Sequence, residues 1–165
     1  MTMIEALAAA GRSPEIPEEM DAYGWLVGSW ELDVIRYGVD VRERKIKGSA
    51  HFGWVLEGRA VQDVWIMKAE NLVATYGMTI RVWDPAIAAW RVTWMNPISG
   101  RRDELIGTKQ GGDLVQIGQH ADGTPIRWSF IDITPNSFRW LGEALERDGA
   151  TWKLEAEFHA RRIES

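Results

Sequence analysis

The stretch Arg59-Ala-Val-Gln-Asp-Val-Trp-Ile-Met67 holds the residues best suited to chemistry in this chain. One alternating phase is Arg59, Val61, Asp63, Trp65 and Met67; the other is Ala60, Gln62, Val64 and Ile66. Whichever phase faces a core, a polar group goes in with it. A carboxylate among apolar side chains either keeps its proton or needs a cation beside it, and Arg59 and Arg81 are at hand. Asp63 is therefore the acid/base candidate, with Arg59, Tyr76 or Asn96 to stabilise developing negative charge. An outward Asp63 in a surface ion pair fits the same pattern, so the phase stays open.

Little else in the sequence resembles catalytic apparatus. The chain has no cysteine, which excludes disulfides, thiolate metal sites and thiol nucleophiles. No two of His51, His120 and His159 share a ligand spacing such as i, i+2 or i, i+4, so no metal site is expected. There is no Gly-x-Ser-x-Gly, P-loop or dinucleotide fingerprint, and no cofactor is expected. His51 and His159 fall in charged, outward phases, and His120 lies at a strand end near a rim. The pair Glu155 and Glu157 reads as a solvated strand face.

The elements that would position Asp63 are strands. After a weak helix at 3–10 and a helical turn or two at 17–23, the hydrophobic period is 2 and turn signals recur about every 8–14 residues. The pattern predicts strands at 29–37, 41–54, 59–68, 72–83, 88–96, 101–109, 113–120, 125–133, 137–145 and 151–162. Short connections such as Lys68-Ala-Glu-Asn71 and Asn96-Pro-Ile-Ser-Gly100 suit hairpins. Ten sequential strands would expose two edges unless the sheet closed on itself, so the expected fold is an all-β, closed antiparallel up-and-down barrel with a short N-terminal helix plugging one end. Residues 1–16 are read as a tail or weak helix, and 17–165 as one barrel domain.

Alternation assigns the faces. The inward sets are Trp152, Leu154, Ala156, Phe158 and Ala160 in the last strand, and Ala74, Tyr76, Met78, Ile80 and Val82 in 72–83. Trp90, Val92, Trp94 and Asn96 form another, as do Ile126, Trp128 and Phe130, and Phe138, Trp140 and Gly142. Ten tryptophans in 165 residues is several times ordinary usage. Trp fills volume with few rotatable bonds, so most should be core and some should line a pocket.

Leu26-Val-Gly-Ser-Trp30 opens the first strand. Trp30 begins its inward phase and can lie across the barrel floor, while Gly28 lets the preceding turn pack close. Arg162, in phase with Phe158 and Ala160, can stack on Trp30 across the seam and donate to carbonyls of the turn. This arrangement resembles the calycin superfamily of lipocalins and fatty-acid-binding-like barrels, in which Gly-x-Trp opens strand one and a basic residue near the chain end packs on it. The resemblance spans residues 20–163, and segments 56–65 and 76–85 are similar to bacterial calycin-like barrels without bringing an assigned activity. The chain departs from secreted lipocalins in having no signal peptide or disulfides, and from fatty-acid-binding proteins in having no room for a helical lid after strand one. Nitrobindins, related barrels that bind haem through a late-strand histidine, make His159 a minor haem-ligand alternative.

A net charge of −5 leaves no footprint for nucleic acid, and no apolar run approaches the ~20 residues of a membrane helix. With Glu5 in place of a basic leader, the expectation is a cytoplasmic monomer or homodimer with a small-molecule partner. The leading functional reading is binding of a small, mostly apolar, aromatic or polycyclic molecule. Trp65, Met78, Trp94, Trp128, Trp140 and Phe158 would line the cavity, with Gln62 and Asn96 as polar members. The alternative is a cofactor-free isomerase, cyclase or lyase using Asp63 in the same cavity. A structural protein with a filled interior is the third.

Overall fold

The computed structural model describes residues 1–67 and 75–164. The turn at 68–71, the start of the strand expected at 72–83, Ala74 and Ser165 lie outside the described residues. Ten antiparallel strands follow one another in order: β1 (Gly28–Tyr37), β2 (Lys47–Val55), β3 (Ala60–Met67), β4 (Thr75–Asp84), β5 (Ala89–Met95), β6 (Arg102–Gln110), β7 (Asp113–Gln119), β8 (Pro125–Thr134), β9 (Ser137–Leu145) and β10 (Trp152–Arg162). Each pairs with the next, and β1 pairs with β10 from Trp30↔Arg162 to Tyr37↔Ala156, so the sheet closes into an up-and-down barrel. Among the described residues no helix is long and apolar enough to cross a membrane.

Three expectations about local structure change. The strand expected from residue 41 begins at Lys47, because Arg42–Arg44 form a 3-10 turn and Lys45 is left-handed at φ 52°. Before that turn, Val39–Asp40 fold back onto β1. In β4 the apolar phase lies outside: Tyr76 and Val82 are 41% and 37% exposed, while Gly77, Thr79 and Arg81 are buried. The inner wall has no room for large residues there, since a Cβ on Gly77 would sit 2.5 Å from the Met95 carbonyl oxygen and 3.1 Å from Trp94 Nε1. In β10 a bulge skips Glu155, with Gly142↔Ala156 followed by Glu143↔Leu154. One extra residue reverses the alternation. Trp152 consequently packs on the outside under Arg127, 4.4 Å from ring centre to guanidinium, and Lys153 turns inward.

The N-terminal helix α1 (Met3–Leu7) starts with a capping box from Thr2 and Glu5, and the chain after it runs along the β2–β3 hairpin. Two 3-10 turns, Glu18–Met20 and Gly24–Leu26, then close one end of the tube. Tyr23 and Leu26 are completely buried there. Trp25 and Trp90 donate their indole N–H to the carbonyls of Ala22 and Met20 at 2.8 and 2.9 Å, so the turns are bonded to the floor residues.

The floor is held by a clasp. Trp30 is fully buried and its Nε1 donates to the Leu26 carbonyl at 2.8 Å. The Arg162 guanidinium lies 4.2 Å over the Trp30 ring and donates to the carbonyls of Trp25 (2.6 Å), Val27 (2.9 Å) and Pro135 (2.9 Å). Gly28, at φ 129°, has no Cβ to meet Arg162 Nη1, which would be 2.8 Å away. Charge-assisted hydrogen bonds contribute about 1.5–3 kcal/mol each and a cation–π contact about 0.5–2, so the carbonyl bonds dominate the clasp. Arg162→Ala should lower unfolding free energy by about 2–4 kcal/mol in chemical denaturation. Arg162→Lys should recover less than half of that, because one ammonium cannot reach three carbonyls from a planar fork.

Candidate functional site

Opposite the clasp the barrel stays open, over a cavity of about 340 Å³. Its walls are Trp65 from β3, Trp94 from β5, Trp128 from β8, Trp140 from β9 and Phe158 from β10. These rings touch in a continuous arc: Trp94–Trp128 at 6.0 Å, Trp128–Trp140 at 5.7 Å, Trp140–Trp65 at 5.8 Å, and Phe158 stacked on Trp140 at 5.3 Å. All five were expected to line a cavity from alternation and ring type.

Beneath the rings lies a buried polar layer. Asp63 and Arg81 form an ion pair of 2.7 Å with side chains 0% and 3% exposed. The second Asp63 oxygen accepts from the Thr79 backbone N–H at 2.9 Å. Arg81 Nε donates to Gln116 Oε1 at 3.3 Å, and the Tyr23 hydroxyl lies 2.9 Å from the same oxygen. The Arg81 guanidinium also stands 5.0 Å over the Tyr23 ring and 5.5 Å over Phe52. Gly107 admits the Tyr23 hydroxyl, which would be 2.0 Å from a Cβ at that position. Burial pushes the Tyr23 phenol far above the ordinary tyrosine range, with the neighbouring Arg81 pulling partly the other way.

The mouth is charged. Asp103, 2% exposed, has Oδ1 3.0 Å from His120 Nδ1 and Oδ2 3.5 Å from Arg101. His120 Nε2 lies 3.7 Å from Glu155, and Arg101 covers Trp94 at 5.8 Å. Glu155 and Lys153 reach the cavity through the β10 bulge, and a matching shift between Val34 and Arg36 turns Tyr37 inward from β1.

Several sequence expectations fall elsewhere. Arg59 is exposed and pairs with Glu15, because it lies in the turn before β3 and outside the barrel. Tyr76 and Met78 belong to the outer phase of β4, and Gln62 to that of β3, where its amide lies 3.4 Å from Met78 Sδ. Asn96 is buried but braces its own turn, accepting from the N–H groups of Ile98 and Ser99. His159 sits on the outer face, 2.6 Å from Glu157, and does not line the cavity, so the geometry gives haem no axial ligand from it. Asp63 does face inward, in the phase of Trp65, but both its oxygens are engaged by Arg81 and Thr79. That arrangement argues for a structural counter-charge and does not favour the acid/base reading.

Gln116, Asp103, Thr79 and Lys153 were missed. Gln116 alternates with Leu114, a signal that could have marked β7 as carrying a buried amide. The inward turn of Lys153 has no local signal, since it follows from the bulge.

No family model matches the chain, and no curated protein is similar to it. Among solved structures the chain is similar to an S-type phycobiliprotein lyase, CPES, from Guillardia theta. The TM-score is 0.58, over 87% of this chain and 91% of that one, at 12% identity. At that identity the likeness is one of fold.

Asp63→Asn would leave Arg81 buried without its counter-charge and should destabilise the barrel by about 3–5 kcal/mol in chemical denaturation. Tyr23 makes a separate prediction. Its proton is held more tightly folded than unfolded, so stability is full below the unfolded tyrosine value of about 10 and falls as pH rises above it. In an alkaline titration the Tyr23 phenol should ionise only as the barrel unfolds, seen as tyrosinate absorbance rising together with loss of near-UV circular dichroism. Tyrosinate from Tyr23 in an intact barrel would contradict this.

Proposed function

We propose that this calycin-like barrel binds a small, mostly apolar, aromatic or polycyclic molecule in its open cavity. The observation that carries the reading is the arc of Trp65, Trp140, Trp128 and Trp94, completed by Phe158, around about 340 Å³ of space. That volume is of the size small-molecule sites use, and flat aromatic walls select flat partners. The barrel belongs, in this proposal, to a bacterial calycin-like branch and holds its own ligand inside the cell. A tube filled by its own side chains would serve no such purpose, and here the filling stops at the polar layer of Asp63, Arg81 and Gln116. The similarity of fold to a phycobiliprotein lyase is compatible with a ligand-holding barrel and carries no substrate across.

Ligand entry should quench tryptophan emission, because four indoles line the cavity. Titration with a panel of aromatic and acyl compounds should give saturable quenching at micromolar concentrations for flat aromatics. Trp140→Leu removes the ring that touches Trp65, Trp128 and Phe158, and should weaken binding about tenfold. Trp152→Leu, on the outer surface, should leave affinity unchanged. No quenching with any compound up to high micromolar levels would defeat the reading, as would equal effects of the two variants.

A further inference from the structure

The polar groups of the cavity are unevenly divided between donors and acceptors. Both Asp63 oxygens are occupied, and Gln116 Oε1 is shared by Arg81 and Tyr23. A guanidinium only donates, so the amide atom facing Arg81 must be the oxygen, and the Gln116 nitrogen is turned away from it. Gln116 lines the cavity and is 1% exposed, and its Nε2 has no hydrogen-bond partner among the described residues. The floor indoles of Trp25, Trp30 and Trp90 each donate to a backbone carbonyl, so among the described residues Gln116 Nε2 is the buried cavity donor left unpaired. The floor therefore offers a donor and asks for an acceptor, whereas the buried Asp103 oxygen that accepts no hydrogen bond lies at the mouth, 3.5 Å from Arg101. A buried donor without a partner is a standing cost that any acceptor reaching it removes.

Charge narrows the acceptor further. Arg81 is already balanced by Asp63, and Gln116 is neutral. A carboxylate arriving at this floor would bring a buried charge with no spare cation to meet it, whereas a carbonyl oxygen brings none. The other cations near the cavity stand at its exposed mouth, where Arg101 is held by Asp103 and His120 and Lys153 lines the rim. Resting on the ligand-binding reading above and deepening it, we infer that the ligand is an aromatic molecule that enters with a neutral carbonyl oxygen leading and accepts a hydrogen bond from Gln116 Nε2 at the floor.

The test uses three flat tricyclic probes of one shape: fluorene, 9-fluorenone and fluorene-9-carboxylate. Affinities are measured by equilibrium dialysis against the full chain. Fluorenone should bind roughly tenfold more tightly than either of the others. Gln116→Glu keeps the oxygen that Arg81 and Tyr23 use and lacks the amide donor; Gln116→Met keeps the length and lacks both. Each should abolish the preference by weakening fluorenone alone, with fluorene affinity unchanged as the measure of an intact cavity. The carbonyl stretch of bound fluorenone should fall below its value in an apolar solvent in the native protein, and return to it in Gln116→Met. Equal binding of fluorene and fluorenone, a preference for the carboxylate, or a preference that survives in both variants would overturn the inference while the binding reading stands. Failure of all three probes to bind would overturn both. Should neither variant fold, the native preference and the carbonyl stretch decide by themselves.

Discussion

The contact between Arg162 and Trp30 ties the last strand, the first strand and the floor turns into one unit, and the remaining geometry depends on it. A ten-strand tube has no sheet edges but has two ends, and the side-chain period of 2 makes its seam intolerant of slippage. A one-residue slip between β1 and β10 would turn Arg162 outward and leave the carbonyls of Trp25 and Val27 without their donor. The β1–β10 register is regular at this clasp, from Trp30↔Arg162 to Val34↔Phe158. Toward the open end, a shift at Val34/Arg36 in the β1–β10 seam and one at Gly142/Glu143 in the β9–β10 ladder turn Tyr37, Lys153 and Glu155 toward the mouth. Bulges at barrel rims re-aim side chains in this way. The closed end is thus devoted to stability and the open end to contact with what enters.

Electrostatics separates interior from surface just as sharply. On the outer face half-exposed Glu31 and Asp33 meet exposed Lys47 and Arg161, and such pairs are worth about 0–1 kcal/mol. Asp63 and Arg81 are buried, and neither could remain there without the other. Their role is to hold a polar layer between the aromatic floor and the aromatic walls. That layer fixes the Gln116 amide, through a donor-only guanidinium and a tyrosine hydroxyl, and so sets which atom is left for a partner.

The tryptophans divide by the fate of the indole N–H. Those at the floor donate to carbonyls of the 3-10 turns, which both satisfies the donor and fastens the turns. Those of the wall pack edge-on or tilted against one another, with Phe158 stacked on Trp140. The same residue type therefore builds the foundation in one place and a recognition surface in another.

Composition and alternation are local properties, and they were enough to read the closed all-β barrel, the Gly28–Trp30–Arg162 clasp and the ring of Trp65, Trp94, Trp128, Trp140 and Phe158. Trp94, Trp128, Trp140 and Phe158 fall in inward sets by alternation and Trp65 is placed with them by ring type, while Trp152, in an equally clean alternation, is turned outward by the bulge. The phase of β3 was left open, and that of β4 was misjudged, because Tyr76, Met78, Ile80 and Val82 look like an inner set and only pairing with Asp63 and Trp65 brings Thr79, Arg81 and Gly77 inside instead. A buried ion pair is a relation between two strands, and neither partner announces it alone. The inward turn of Lys153 and Glu155 depends on one unpaired residue in a ladder, and the free Gln116 nitrogen on contacts with Tyr23 and Arg81 far away in the chain. Those features exist only once the strands are brought side by side, since register and charge compensation are set between segments and not within them.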